Sequence, residues 1–144
     1  MPTQRVFTLE EVNAIVGELT RVVGEQLDRR ARIETLLDTL AEATGTRGDV
    51  ALRTDDSPGV REQKRDVARR IDEYHEGWER VEAMGGVLKD PREGLVDFYG
   101  RVGGRRVWLC WKLGEAQVNH YHQLDEGFSG RKRIEDSDRR IMLN

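Results

Sequence analysis

Two histidines two positions apart, His120 and His122, are where chemistry first suggests itself in this chain. On a strand, residues i and i+2 project from the same face. Both imidazoles could therefore serve one divalent cation if a third ligand stood nearby. Two sources of that ligand are in reach of the pattern: Asp125, just past the run, and His75, one helical turn from Glu79. The competing reading makes them structural histidines bonded to helix or backbone groups. It is preferred because His120 would sit among aliphatic neighbours. No cofactor is therefore expected, and a divalent metal at His75, His120, His122 and Asp125 is the alternative.

A second candidate lies just downstream. Residues 124–132 form a Gly-containing loop that runs into Arg131, Lys132 and Arg133. Backbone N–H groups near Gly127 and Gly130 could make an anion-binding concavity, with Arg131 as a charged fork. The competing reading is a structural turn in which Phe128 anchors the loop and Arg131 pairs with Asp125 or Glu126; it is preferred. Cys110, the single cysteine, is a weak nucleophile candidate. A carboxylate beside a thiol raises its pKa rather than lowering it.

Three short runs rich in Val, Trp, Tyr and Phe must position these residues: Leu95–Tyr99, Arg105–Trp111 and Gln117–His122. Glycines punctuate them, as in an antiparallel meander. Gly103-Gly104 suits a two-residue type I′ turn, and Gly114-Glu115 suits type II′. Those turns predict Phe98 opposite Leu109 and Val96 opposite Trp111. They also predict Leu109 opposite His120 and Val107 opposite His122. One face then carries Val96, Phe98, Val107, Leu109, Trp111, Val118, His120 and His122. The other carries the aromatic row Tyr99, Trp108 and Tyr121, with Asp97, Cys110 and Asn119 beside it, and no histidine. These six residues form the expected binding face, because three aligned rings leave apolar area that a partner, ligand or covering segment must meet.

The rest reads as helical support. Thr8 and Glu11 form a capping box, with Phe7 and Val12 spaced as a hydrophobic staple. Apolar residues then recur at helical spacing to Leu40, predicting one helix to about Ala43. Residues 44–58 are a polar connector. Val60, Lys64, Val67, Ile71, Tyr74, Trp78 and Val81 step by four and three, predicting a second helix from about Gly59 to Ala83 with one polar seam position, Lys64. Gly85-Gly86 ends it. The expected fold is α+β: a long antiparallel two-helix hairpin (residues 8–84) packed on a small three-stranded meander (residues 94–123). Residues 1–131 form one domain, and 132–144 a polar tail ending in Ile141, Met142 and Leu143.

Several stretches resemble the DUF2203 family of bacterial proteins of unknown function. They are Phe7-Thr8-Leu9-Glu10-Glu11-Val12-Asn13, Gly94-Leu95-Val96-Asp97-Phe98, Cys110-Trp111-Lys112-Leu113-Gly114-Glu115, and His122-Gln123-Leu124-Asp125-Glu126-Gly127-Phe128-Ser129-Gly130-Arg131. Lys112 stands where the family pattern has Arg, and Gln123 where it has Asp. The resemblance implies the architecture and transfers no activity.

Composition narrows the function classes. Over 144 residues, 24 basic and 27 acidic side chains leave a net charge of −3, which gives no general drive toward nucleic acid or anionic membrane. An RNA-binding motif is absent, so stacking of bases on the aromatic row is disfavoured. One cysteine excludes an intrachain disulfide and fits a reducing compartment. No apolar run approaches the roughly 20 residues that span a bilayer. A cytoplasmic protein is expected, most simply a homodimeric interaction module that meets an unknown protein or small molecule. The alternative is a metal- or small-anion-binding protein, in which an enzyme is one option, using His122, Asp125 and Arg131.

Overall fold

The computed structural model describes residues 5–142, so Leu143 lies outside the described residues. Helix α1 (Leu9–Thr44) starts where the capping box places it: the Glu11 amide donates to Thr8 Oγ1 at 3.1 Å, and the Thr8 amide donates back to Glu11 Oε1 at 2.9 Å. It stops at Gly45, whose φ of 81° is left-handed. Helix α2 (Pro58–Ala83) is capped by Ser57 and has proline in its first turn. The two helices pack along much of their length.

The connector between them is tied down by the polar seam residue. Lys64, 1% exposed, donates to Asp56 Oδ2 at 2.9 Å and to the Ala51 carbonyl at 2.7 Å. The interruption in the apolar seam thus anchors the loop, which offsets the cost of burying an ammonium.

The sheet has five antiparallel strands where three were expected: β1 (Val87–Asp90), β2 (Leu95–Val102), β3 (Arg105–Lys112), β4 (His120–His122) and β5 (Lys132–Arg133). Their spatial order is their chain order. Strand β1 hides in the sequence because it is short and ends in the Asp90-Pro91 turn, where Asp90 Oδ1 accepts the Arg92 and Glu93 amides. Strand β5 hides in the charged run that reads as tail. Beyond it a short helix, α3 (Asp136–Arg140), follows, and Ile134 and Met142 are buried against the core.

The β2–β3 register is the expected one: Val102 faces Arg105, Phe98 faces Leu109 and Val96 faces Trp111. Gly103 and Gly104 both have positive φ, as type I′ requires. The aliphatic face so formed packs on Val12, Val16, Leu19, Val22 and Val23 of α1 and on Trp78 and Val81 of α2. Phe7 joins edge-on to Phe98 at 5.3 Å, and its amide donates to the Tyr99 carbonyl at 2.7 Å, closing part of the free edge of β2.

The β3–β4 register differs from expectation by one residue. Trp108 faces His122, Leu109 faces Tyr121, and Cys110 faces His120. No two-residue turn forms at Gly114-Glu115. Instead residues 113–119 leave the ladder, because other partners take their polar groups. The Glu115 carbonyl accepts the Trp111 indole N–H at 3.0 Å, and its carboxylate accepts the Lys112 amide at 2.7 Å. The Val118 amide donates to Asn13 Oδ1 on α1 at 2.7 Å. An offset of one residue exchanges the faces of a strand. His120 and His122 therefore join Asp97, Cys110 and Trp108, while Tyr121 turns to the core side and packs against the core cluster.

Trp78 is 8% exposed, stacks edge-on with Tyr74 at 5.9 Å, and its indole N–H has no acceptor among the described residues. Trp78→Ala should cost about 3–5 kcal/mol. Trp78→Phe should cost less than half of that, because it also removes a buried donor without a partner. Denaturant melts of both variants check this; equal losses would mean that the indole N–H is well satisfied.

Candidate functional site

The site is assembled on the sheet face turned away from α1 and α2. Asp97 of β2 and Cys110 of β3 are direct cross-strand partners, and His122 of β4 faces Trp108, one diagonal step from Cys110. The ligand-capable atoms of Asp97, Cys110 and His122 all lie within 4.8 Å of one another, and all three residues are buried.

His122 is fixed through both ring nitrogens. Nδ1 stands 3.0 Å from the Gln123 carbonyl oxygen, and Nε2 stands 2.8 Å from Asp97 Oδ2. The carbonyl can only accept, so the Nδ1 proton points at it and Nε2 is turned to the carboxylate. Between Nε2 and Oδ2 there must then be a shared proton or a cation. Gln123 contributes its main chain here.

The electrostatics follow from burial. Desolvation raises the Asp97 carboxyl pKa, against the pull of His122 and, more weakly, Lys89. Burial, reinforced by the Asp97 charge, pushes the Cys110 thiol up to about 12, with Arg131 acting in the opposite direction. A free Cys110 is accordingly a protonated thiol at neutral pH and no nucleophile.

Above the triad opens a cleft of about 350 Å³. Lys89 and Asp90 of β1, Glu126, Gly127 and Phe128 form its remaining polar and outer wall, with Leu95 from β2. The Glu126 carboxylate accepts the Gln123 amide at 2.9 Å, which holds the loop after β4 over the site.

The other residues singled out from sequence are dispersed. His75 is exposed on α2, and Asp125 is exposed in the loop; neither belongs to the donor cluster. His120 is half-buried and outside that cluster, with Nδ1 3.8 Å from Glu115 Oε2. Its pKa is lowered by burial first, then by Arg131. Arg131 pairs with Glu115 at 3.2 Å, where Asp125 or Glu126 was the expected partner, and lies over the Phe128 ring. Gly127 lines the cleft, whereas the Gly130 and Arg131 amides donate within the turn, to Gly127 and Phe128 carbonyls, and are not free for an anion. Asn119 accepts the Ile134 amide through its carbonyl at 2.8 Å.

The aromatic row is shorter and better covered than expected. Tyr99 and Trp108 stack with centroids 4.0 Å apart. Lys89 Nζ lies 3.8 Å from the Trp108 centroid, and the Arg106 guanidinium 4.2 Å from that of Tyr99. Two groups so close to one centroid cannot share a side of the ring, so the order is Lys89, Trp108, Tyr99, Arg106. Trp108 is only 6% exposed as a result. Sequence reasoning put Asp97 and Cys110 side by side but His122 on the opposite face, and it missed Lys89 altogether. The Cys110–Asp97 pairing, already correct, and the length of the 113–119 segment were the available signals.

The chain belongs to the DUF2203 family: that family, described as an uncharacterized conserved protein, matches residues 5–134. No curated protein and no solved structure matches it. Among the described residues, no helix is long and apolar enough to cross a membrane.

A thiol held near 12 has a thiolate fraction of about one in ten thousand at pH 8. Cys110 of the native, metal-free protein should therefore resist a disulfide reagent at pH 8 and react fully once unfolded in denaturant. Fast stoichiometric labelling of the folded protein would show an accessible, activated thiol instead.

Proposed function

We propose that this DUF2203 protein binds one divalent transition metal through Asp97 Oδ, Cys110 Sγ and His122 Nε2, with the remaining coordination position facing the cleft. The observation that carries the reading is the convergence of three chemically different ligand atoms within 4.8 Å on three adjacent strands. Three supports add to it. The Gln123 carbonyl fixes the imidazole so that Nε2 faces the site, the outer contact that metal-bound histidines usually have. The short His122–Asp97 contact needs a positive species between its atoms. A carboxylate and a thiolate together balance a 2+ ion, so a buried site becomes neutral overall.

A set of one oxygen, one nitrogen and one sulfur suits zinc and its open-shell substitute cobalt better than magnesium or calcium. Ligand atoms about 2.0–2.3 Å from zinc stand roughly 3.3–3.6 Å apart in a tetrahedron. Asp97 and His122, at 2.8 Å, would open by about half an ångström. Metal entry displaces the Cys110 proton, so affinity rises with pH. Three protein ligands and one open position are the pattern of catalytic rather than structural zinc sites. A water held there would be acidified toward neutral pH.

The homodimeric interaction module expected from sequence could meet its partner through the helical hairpin or through a second sheet face left bare. That face is covered within one chain, because Trp108 is enclosed by Tyr99 and Lys89. The same enclosure leaves no ring face of Trp108 for a nucleic-acid base. The metal site is the function the geometry supports best.

Metal-free protein titrated with Zn²⁺ or Co²⁺ against a competing chelator should take up one equivalent. The cobalt form should show a thiolate-to-metal charge-transfer band in the near ultraviolet. Cys110→Ser should abolish that band, and His122→Ala should weaken affinity by more than about 100-fold, beyond what loss of an outer partner costs. Absence of uptake, or a band that survives Cys110→Ser, would overturn the proposal and leave a proton-sharing His–Asp pair.

A further inference from the structure

Lys89 reaches the cleft by ordinary alternation from Val87, the partner of Asp97, and an irregularity beside it brings Asp90 to the same face. Leu88 pairs with Val96 and Asp90 pairs with Leu95, so Lys89 is an extra residue in β1, a β-bulge. In a regular strand, consecutive side chains point to opposite faces. Here Lys89 and Asp90 both line the cleft, which the bulge permits. Bulges of this kind recur next to functional sites, where they re-aim a side chain.

The charges in the cleft are unequally committed. Asp90 Oδ1 accepts the Arg92 and Glu93 amides, and Glu126 Oε1 accepts the Gln123 amide. The Lys89 ammonium makes no hydrogen bond or ion pair with any described residue; it rests on the face of Trp108 at 3.8 Å. That contact holds the head group in place while leaving its donors unused. The opposite part of the cleft is apolar: Leu95 is buried in its wall, and Phe128, 38% exposed, stands at its rim.

We propose that the cleft binds a small organic carboxylate, its anionic head held between the Asp97–Cys110–His122 metal and Lys89 and its apolar body against Leu95 and Phe128. The inference rests on the metal-binding reading and names the ligand of that site. With the metal bound and balanced by Asp97 and Cys110, an oxygen of the carboxylate completes the open position. The second oxygen takes hydrogen bonds from the ammonium, a charge-assisted pair in a half-closed, low-dielectric setting. A volume of about 350 Å³ is at the small end of ligand sites, enough for a head group and a short chain or ring.

The test uses the full-length cobalt-loaded protein, with acetate, hexanoate and inorganic phosphate as separate probes and the visible cobalt spectrum as readout. Both carboxylates should shift the spectrum saturably, hexanoate with at least about tenfold higher affinity because its chain buries apolar surface. Lys89→Met should weaken both by about tenfold or more, with the charge-transfer band reporting that the metal is still in place. Phe128→Ala should weaken hexanoate and leave acetate unchanged. A protein that takes up no cobalt ends the metal reading and this one with it. A cobalt spectrum that no carboxylate shifts, or shifts equally in Lys89→Met, ends this inference alone. Phosphate binding tighter than hexanoate would replace the organic acid with an inorganic anion and overturn the apolar half of the proposal.

Discussion

Glu115 decides which side chains meet on the outer face of the sheet. Its carbonyl accepts the Trp111 indole, its carboxylate accepts the Lys112 amide, and the same carboxylate receives Arg131. These bonds curl the chain back on the end of β3 in place of a tight hairpin. The next strand can then rejoin the ladder only with His122 opposite Trp108. The meeting of Asp97, Cys110 and His122 follows from that placement and not from any affinity among the three residues. A buried carboxylate and thiol side by side would be an electrostatic liability without a third group of opposite character. His122 supplies it.

The helices act on this arrangement from behind. The five α1 residues from Val12 to Val23 that pack on the sheet are all at or below 4% exposure. That packing stiffens the aliphatic face, so the opposite face can hold polar groups in fixed positions. Asn13 extends the support beyond packing: its side chain, at the start of the second turn of α1, fixes the Val118 amide just before β4. Arg131 reaches the same neighbourhood from the far side, holding the loop through Glu115 and Phe128.

Much of this was legible in the sequence, and the rest was not for identifiable reasons. The capping box at Thr8 and Glu11, the stop at Gly85 and the Gly103-Gly104 turn each depend on a few neighbouring residues, and each formed as read. The Asp97–Cys110 pairing was correct for the same reason, since a two-residue turn leaves no freedom in register. The Gly114-Glu115 turn looked equally local but was not. Asn13 lies far away in sequence, and nothing in the pattern around Gly114 announces that it will take the Val118 amide. Strand β5 was hidden because both of its residues are charged, and β1 because only Val87 and Leu88 precede Lys89 and the Asp90-Pro91 turn. Lys89 was overlooked because strand β1 was not read from the sequence, so no sheet face was assigned to it.

The order of the strands has a consequence for how the molecule assembles. Every strand pairs with its neighbour in the chain, so the sheet can grow by successive short closures, the topology that folds fastest. One bond that supports the β3–β4 register is different in kind: Val118 and Asn13 are 105 residues apart. Closing a loop of that length carries an entropic cost that no local hairpin meets. Local pairing of β1 to β3 is therefore entropically cheaper than fixing β4, and a one-residue misalignment of β4 is what the Asn13 contact guards against. A species so misaligned would keep nearly all of the native backbone pairing and core. It would differ from the native protein in having turned His120 and His122 off the outer face and Tyr121 onto it.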